Sequence, residues 1–345
     1  SQSTSVAAYQ IVSGATSSSE ISGWGGSAWG SGPWNVGLTS QEELRIWSQQ
    51  NFGEDLIFGF RGDRLYYWDA SNEDNLNTRA VALTSLAGAS DVPTVQNVMT
   101  ISDINRFVFC FGTNPIGSSV LDPMLIRWSD QESAVNWTPA ATNQAGSLRL
   151  SRGTEIVAAS QARQEVLVWS DSSLYALQYV GAGSGVWGAT LVGENISIAS
   201  QNSVAYTNGV AYWMGKDKFY MYDGRTRPLT CDLRKYVFTD FNTDQFTQVF
   251  AGGNEAFHEV WWFYCSANSA DIDRYVIYNY LEDIWYYGNM ARTAWLDSGL
   301  RSFPLATTYN GVLLDHENGI DDNETSTTAA IDAFILSADF DLDDG

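Results

Sequence analysis

A chain of 345 residues that carries 14 Trp, 17 Tyr and 16 Phe beside only 17% charged residues has the composition of strands and tight turns, which predicts an all-β protein with a large core. Asp and Glu number 40 against 18 Lys and Arg, for a formal net charge of -22. A surface this acidic repels phosphate backbones and so excludes tight binding to nucleic acid. No apolar run approaches the roughly 18 residues of a transmembrane helix, so no membrane span is predicted.

The first 43 residues differ in composition from the rest. Ser, Gly, Thr and Ala dominate them, but three tryptophans follow one another at five-residue intervals, Trp24, Trp29 and Trp34. Glycine permits tight turns, and each tryptophan has a large apolar surface that favours burial. A flexible Gly/Ser linker rarely carries such residues. Residues 1–43 are therefore predicted to dock as an extended segment, either on the remainder of the chain or on a neighbouring molecule.

From residue 44 onwards a hairpin-like phrase recurs about every fifty residues. Its copies begin at Leu56, Phe107, Val166, Val210, Val260 and Val312. In the clearest copies an apolar strand runs into a short polar turn, and a second strand rich in Tyr and Trp returns. Such a unit cannot bury both apolar faces alone, so neighbouring units must stack, as four-stranded blades around an axis do. Residues 44–320 are predicted to form a β-propeller of about six blades.

Turn-forming residues and helical spacing predict what connects and follows the blades. Polar or Gly/Pro-rich stretches at 71–79, 113–123, 139–147 and 181–188 are predicted to connect the blades. Apolar residues fall at helical spacing over 231–238, which predicts a short helix inserted between blades, with Thr230 as its N-cap. Residues 321–345 are predicted to be an acidic tail with one last strand at 333–336.

One phrase allows two interpretations. Trp128 and Trp137 flank a polar turn that contains Asp130. Either both rings pack between sheets while Asp130 caps the turn through backbone amides, or the tryptophans are exposed and stack on sugars. The phrase lacks the central glycine and the spacing of the Asp boxes found in sialidase-like propellers, which favours packing.

The sequence offers little support for catalysis. Its only histidines are His258 and His316, and no Gly-x-Ser-x-Gly, HExxH or phosphate-loop motif occurs. Forty acidic residues make any single carboxylate pair, such as Glu282 with Asp283, uninformative. The chain is predicted not to be an enzyme and to need no cofactor.

The cysteines and the acidic runs give no metal site. Cys110, Cys231 and Cys265 are odd in number and widely spaced, which predicts buried thiols rather than disulfides or zinc ligands. The acidic runs at 321–324 and 339–344 do not have the spacing of an EF-hand loop. No metal is predicted.

Four phrases together resemble a known family, the tail nozzle proteins of short-tailed bacteriophages. They are the Gly/Trp phrase before the first blade, LRIWSQQNFGEDLIFGFRGDRLYYWD after it, MLIRWSDQESAVNWTPAATNQAGSLRLSRGTEIV from Met124, and the ending AAIDAFILSADFDLDDG, after which relatives usually continue into further domains. The resemblance covers most of the chain from about residue 20. The further domains of longer relatives include parts that form a tip or gate. The resemblance therefore implies that this chain is a propeller subunit, and it does not decide whether the chain takes part in gating.

The resemblance implies a structural virion protein in the phage tail, assembled in the host bacterial cytoplasm. Its propeller would be one subunit of a homo-hexameric ring that attaches below the tail adaptor protein, holds tail fibres or spikes at its side, and conducts double-stranded DNA through an acidic channel. A passage that DNA must slide through would benefit from repulsion. The alternative is a carbohydrate-binding or carbohydrate-cleaving propeller with Trp-rich loops around a pocket.

Overall fold

The computed structural model describes residues 44–71, 78–102, 105–181, 185–299, 301–322, 324 and 328–331. The docking segment 1–43, with Trp24, Trp29 and Trp34, and the strand predicted at 333–336 lie outside these residues. Within them, no helix has the length and apolar character needed to cross a membrane.

The described chain forms a six-bladed β-propeller, which confirms the predicted fold class and blade number. Each of the first three blades is a four-stranded antiparallel meander. Blade one contains β1 Trp47–Phe52, β2 Asp55–Phe60, β3 Tyr66–Trp68 and β4 Val81–Ala82. Blade two contains β5 Gln96–Ile101, β6 Val108–Thr113, β7 Asp122–Trp128 and β8 Gly146–Arg149. Blade three contains β9 Ile156–Gln161, β10 Glu165–Ser170, β11 Ser173–Gly181 and β12 Val186–Glu194.

The remaining blades follow the same order and end in a smaller unit. Blade four contains β13 Val204–Thr207, β14 Val210–Met214, β15 Phe219–Tyr222 and β16 Thr226–Pro228. Blade five contains β17 Phe250–Asn254, β18 Glu259–Tyr264, β19 Arg274–Asn279 and β20 Ile284–Asn289. Blade six has three described strands, β21 Ala294–Leu296, β22 Leu305–Thr307 and β23 Leu313–Asp315. A two-stranded hairpin, β24 Asp321–Asp322 and β25 Ala329–Ala330, comes after it.

The first strand of each blade lies closest to the axis. Strand β1 adjoins β5, β5 adjoins β9, β13 adjoins β17, and β17 adjoins β21. The recurring sequence phrase marks the second strand of blades one to five, and all six residues of β6 are buried. A strand covered on both faces reads as a continuous apolar run, which is why these strands were visible in the sequence.

Five hydrophobic cores join successive blades. One large buried side chain represents each core from the first interface to the fifth: Trp137, Phe109, Trp213, Trp262 and Phe263. All five have no more than 1% of their surface exposed. A blade is held by apolar side chains on both of its faces, so stacking supplies most of the stability of the ring.

Two local predictions were wrong. The helix α1 does lie between blades four and five, but it spans Arg234–Thr239, and its N-cap is Leu233 without a side-chain hydrogen bond. The carbonyl oxygen of Thr230 instead accepts a hydrogen bond from Trp285 Nε1 at 2.9 Å. The four polar stretches predicted between blades all lie inside blades, joining β3 to β4, β6 to β7, β7 to β8 and β11 to β12. Turn chemistry identifies a turn but not which pair of strands it connects.

Candidate functional site

The propeller axis contains a cavity of about 640 Å³. Its wall comes from the first strands of blades one to three and from the loop before β13. The lining residues are Trp47, Ser48, Gln49, Gln50, Val98, Met99, Thr100, Ala159, Ser160, Gln161, Gln201 and Asn202. None of these residues, all in the described part of the chain, is charged. The part of the axis that these residues line is therefore neutral rather than acidic.

Amide side chains connect the inner strands around this cavity. Gln50 Nε2 donates to the carbonyl oxygen of Ile101 at 3.2 Å, and Gln50 Oε1 accepts from the backbone N–H of Ile101 at 2.7 Å and from Thr100 Oγ1 at 2.8 Å. On the opposite side, Gln201 Nε2 donates to Ser48 Oγ at 2.8 Å. Blade one is thus hydrogen-bonded to blade two and also, across the axis, to the segment that precedes blade four.

Negative charge is concentrated in blades five and six and in the residues after them. Residues 240–345 contain 19 acidic and 3 basic residues, whereas residues 1–239 contain 21 and 15. Among the described acidic residues of this part, nine are exposed: Asp244, Glu255, Asp271, Glu282, Asp283, Asp315, Glu317, Asp321 and Asp322. Over the described residues, positions 44–239 carry 15 acidic and 15 basic residues, whereas positions 240–331 carry 14 and 3. The excess negative charge of the described chain therefore lies in and around blades five and six, where it creates a strongly negative local potential.

Two of the three arginines in this acidic region are held by its carboxylates. Arg274 lies 3.4 Å from Asp240 and 3.2 Å from Asp273. Arg292 Nη1 lies 3.0 Å from a carboxylate oxygen of Glu324. These positive charges are thus neutralised locally, and the exposed carboxylates determine what an approaching molecule meets.

A cleft of about 1150 Å³ lies between blade five, blade six and the β24–β25 hairpin. At its base, buried Arg292 donates through Nε to His316 Nε2 at 3.0 Å, while the ring of His316 packs 4.9 Å from that of Trp295. Burial, and secondarily the Arg292 guanidinium, lowers the pKa of His316 to about 4. His316 is neutral at pH 7 and serves as a hydrogen-bond acceptor that fixes Arg292.

The phrase around Asp130 is a packed turn. Trp128 and Trp137 are 2% and 1% exposed and lie in the cores on either side of blade two. Asp130 Oδ1 accepts from the backbone N–H groups of Gln131 and Gln144, both at 2.9 Å. Neither ring offers a free face for a sugar, so this phrase supports packing and not glycan binding.

The residues weighed for catalysis do not converge. Glu282 and Asp283 lie in the exposed turn between β19 and β20, where Asp283 accepts a hydrogen bond from the hydroxyl of Tyr278 at 2.9 Å. His258 is exposed in a different turn, next to Tyr280. Within the described ranges, no group of three or more His, Cys, Asp or Glu residues is placed to hold a metal ion.

The three cysteines are free thiols. Cys110 and Cys265 are buried, and Cys231 is half-buried. Burial raises the pKa values of Cys231 and Cys265 to about 12 and raises that of Cys110 further. These thiols are therefore protonated and unreactive at neutral pH.

Sequence reasoning missed two features of this region. The concentration of acidic residues from position 240 onwards is visible in a count of charges along the chain, whereas the total net charge of -22 does not show it. The contact between Arg292 and His316 joins residues 24 positions apart, and it had no sequence signal because it depends on how blade six folds back on itself.

No protein-family model matches the chain, and no curated protein matches it. Among solved structures, Hsv2 of the yeast Kluyveromyces marxianus is similar, with 8% identity and a TM-score of 0.45 over 85% of this chain and 77% of that one. The extracellular domain of BT4673 from B. thetaiotaomicron has 11% identity and a TM-score of 0.46, covering 79% of this chain and 32% of that one. Dihydro-heme d1 dehydrogenase NirN has 10% identity and a TM-score of 0.43, covering 81% and 56%. The propeller assignment rests on the strand order, and likenesses of this size carry no information on activity or partners.

Proposed function

We propose that this chain is a structural subunit of a phage tail nozzle, a ring of about six copies whose central passage conducts double-stranded DNA. The observation that carries the proposal is the excess of acidic over basic residues from blade five onwards, 19 against 3 beyond residue 239. The resemblance of the sequence phrases to nozzle proteins supplies the family. The two are independent, since the phrases quoted for the family come mostly from blades one to three.

The charge distribution suggests how the subunits are oriented. DNA binds to proteins chiefly through neutralisation of its phosphates by Lys and Arg. A surface on which carboxylates outnumber cations, and on which Arg274 and Arg292 are already paired, gives DNA little to adhere to. We assign blades five and six to the wall of the passage, where repulsion keeps the duplex centred and mobile.

A conduit also needs rigid walls. Five inter-blade cores and the amide contacts around the axis provide a stiff subunit. This agrees with a mechanical role, in which chemistry at a site is not required.

Contacts between subunits require an exposed apolar surface. The outer edge of blade five presents one, because Tyr236 of α1 packs at a tilt against Tyr287 of β20 with ring centroids 4.5 Å apart, and the two are 45% and 52% exposed. The neighbouring side chains Ile284 and Tyr286 are 44% and 42% exposed. An exposed outer strand with aromatic side chains is well suited to contact another chain. A heterologous contact of this kind closes into a ring when its rotation returns to the start.

The test is the mass of the native particle by multi-angle light scattering, measured on the full chain alone and with its tail adaptor protein. A mass of about six subunits in either setting supports the proposal. Tyr287→Glu is expected to reduce the mass to that of a monomer, whereas Val120→Glu, at a 72% exposed position in blade two, leaves it unchanged. A monomer in both settings overturns the conduit and returns attention to the carbohydrate-binding alternative.

Attachment to the adaptor, contact with fibres or spikes, and a location in the virion tail belong to the same proposal. They are tested by co-purification of the assembled ring with those proteins from phage particles.

A further inference from the structure

A second cavity, of about 320 Å³, lies where blade one meets blade two. Its wall comes from the chain that joins the two blades, from the loop between β6 and β7, and from β7 itself. Among the described residues that line it, only Asp91 and Arg127 carry a charge. The volume is at the lower end of the range of small-molecule sites in proteins, roughly 300–1,000 Å³.

Arg127 is a buried cation without a carboxylate partner. The residue is only 2% exposed, and its register partner on β6, Cys110, belongs to the core that joins blades one and two. Its guanidinium donates to two main-chain carbonyl oxygens, through Nη1 to Asn114 at 3.2 Å and through Nη2 to Asp91 at 2.5 Å. No carboxylate of the described residues forms an ion pair with it.

The other buried arginine of the described chain is neutralised. Arg292 is 6% exposed, and a carboxylate oxygen of Glu324 lies 3.0 Å from its Nη1. Such a partner is expected, because taking a charge out of water is costly unless an opposite charge compensates for it. At Arg127 two carbonyl dipoles supply part of the compensation, but burial still lowers the pKa of the guanidinium despite the nearby Asp91 carboxylate. The positive charge of Arg127 is therefore incompletely balanced.

Asp91 presents its main chain, rather than its carboxylate, to Arg127. Its φ of 49° lies in the left-handed region, a conformation that is unfavourable for a residue other than glycine. In this conformation its carbonyl oxygen accepts from Arg127, while its Oδ2 accepts from Thr138 Oγ1 at 2.7 Å. Asp91 thus fixes the guanidinium beside the cavity without forming an ion pair with it.

Hydroxyl groups and apolar side chains complete the wall. Thr94 and Ser118 line the cavity, and a hydroxyl group can donate a hydrogen bond to an anion. Ser118 Oγ accepts from the backbone N–H of Val120 at 3.0 Å, so its own O–H remains able to donate. Val92 and Ile116 add apolar surface. The cavity therefore offers one cation, hydroxyl donors and space for a short alkyl group.

We propose that this cavity binds a carboxylate group, which accepts hydrogen bonds from the guanidinium of Arg127. A guanidinium has five N–H groups, and only two of its hydrogen bonds go to the main chain. Arginine is suited to the planar geometry of a carboxylate. A monoanion fits better than a phosphate dianion, because the carboxylate of Asp91 is also close. The carboxylate comes either from a small organic acid or from an acidic side chain of a second copy of this chain.

The test is a titration of the full chain with butyrate carrying ¹³C at the carboxylate, followed by the ¹³C chemical shift and line width. We expect saturable binding with a Kd of about 1–10 mM. Arg127→Met should weaken it at least about tenfold, and Thr94→Val, which removes one hydroxyl, about threefold. The matched control is Arg149→Met, in β8 of the same blade, where Arg149 is exposed and paired with Asp122. It should bind butyrate like the unaltered chain.

Butyramide, a neutral analogue of nearly the same shape, is the control ligand and should not bind saturably. Binding of butyramide equal to that of butyrate would show an apolar cavity only and would overturn the proposal. Equal binding of butyrate to the Arg127→Met variant would overturn it as well. If that variant does not keep the near-ultraviolet circular dichroism of the folded chain, Thr94→Val takes its place, and unchanged affinity in Thr94→Val then counts against the site.

Light scattering distinguishes the two sources of the carboxylate. If a second copy supplies it, 100 mM butyrate and Arg127→Met both reduce the mass of the native particle, as expected for about 1–10 mM affinity. If a small acid supplies it, the mass is unchanged and butyrate binds equally well at all protein concentrations. Butyrate that neither binds saturably nor alters the mass overturns the site. A monomer that binds butyrate overturns the tail nozzle proposal and leaves this site standing.

Discussion

The interface between blades four and five and the face of blade one that points away from blade two are built from the same kinds of side chain, yet only the first is a core. Trp262 and Phe219 pack 5.0 Å apart in a fully buried cluster, and Trp262 Nε1 donates to the carbonyl oxygen of Ser203 at 3.0 Å. On the face of blade one, the ring of Trp47 lies 5.2 Å from that of Phe60, but Trp47 stays 42% exposed. Neighbouring blades are brought together by short connections, whereas the first and last blades meet only when the whole ring has formed.

Strand alternation therefore creates apolar faces but does not determine what covers them. Five faces are covered by the next blade in the chain. The aromatic face of blade one, with Trp47, Phe58 and Phe60, belongs to none of these five cores within the described residues. Substitutions in the covered interfaces test how much these cores contribute to the free energy of unfolding. A pH titration tests how the acidic side, formed by blades five and six, differs from them.

The largest effect is expected for Trp262→Ala. This side chain is completely buried in the core of blades four and five. Its removal leaves a cavity and takes away one of the two hydrogen bonds that the Ser203 carbonyl oxygen accepts, the other coming from the backbone N–H of Met214. We expect a loss of about 3–5 kcal/mol in the free energy of unfolding, measured by denaturant titration. Leu281→Ala, at an exposed position, is the control and should cost less than about 0.5 kcal/mol. A cost for Trp262→Ala near that of the control would contradict the claim that these cores hold the ring.

Gly252→Ala tests the approach of blade six to blade five. A Cβ atom at position 252 would lie 2.2 Å from Trp295 Cδ1, so Trp295 would have to move out of the core. We expect a loss of about 1–3 kcal/mol in the free energy of unfolding. At Gly188 a Cβ meets nothing closer than 3.4 Å, and Gly188→Ala should be nearly neutral. Equal effects of the two substitutions would show that blade six does not pack on blade five as described.

Asp130→Ala tests the polar turn between the two cores of blade two. It removes the acceptor of two backbone N–H groups, and we expect thermal unfolding to report a loss of about 1–2 kcal/mol. Asp130→Asn keeps an oxygen in the same place and should retain most of the stability. If the two variants are equally destabilised, the carboxylate charge matters and the hydrogen bonds alone do not explain the turn.

The smallest effect concerns pH on the acidic side. The pKa of His316 is lowered to about 4 from a usual value of 6.5, so between pH 6.5 and 4 the unfolded chain binds a proton that the folded chain does not. Stability should therefore fall as the pH drops through this window, by about 2 kcal/mol or less for this group. His316→Gln keeps a hydrogen-bond acceptor for Arg292 and removes the titration. The difference in free energy of unfolding between the two proteins should change across the window, and a constant difference would contradict the lowered pKa.

Much of the fold could be predicted because the repeated signal is local. The central strands of the blades are apolar on both faces, and strands such as β6 are visible in one short stretch of sequence. The helix between blades four and five was visible in its spacing, but its start was not, since Leu233 caps it without any side-chain signal.

The candidate site depends on contacts that no short stretch contains. Gln201 reaches Ser48 across the axis from 153 positions away, and Arg292 meets His316 only because blade six folds back. The neutral lining of the axial cavity also could not be predicted, because it is assembled from four separate segments. The acidic side could have been predicted by counting charges along the chain.

Electron cryomicroscopy of the native particle tests the central claim most directly. The account predicts a closed ring of about six copies in which exposed carboxylates of blades five and six, such as Glu282, Asp283 and Asp315, face the central passage. A ring whose passage is bordered by blades one to four, with the acidic side turned outward, would contradict it, and so would a particle with no ring.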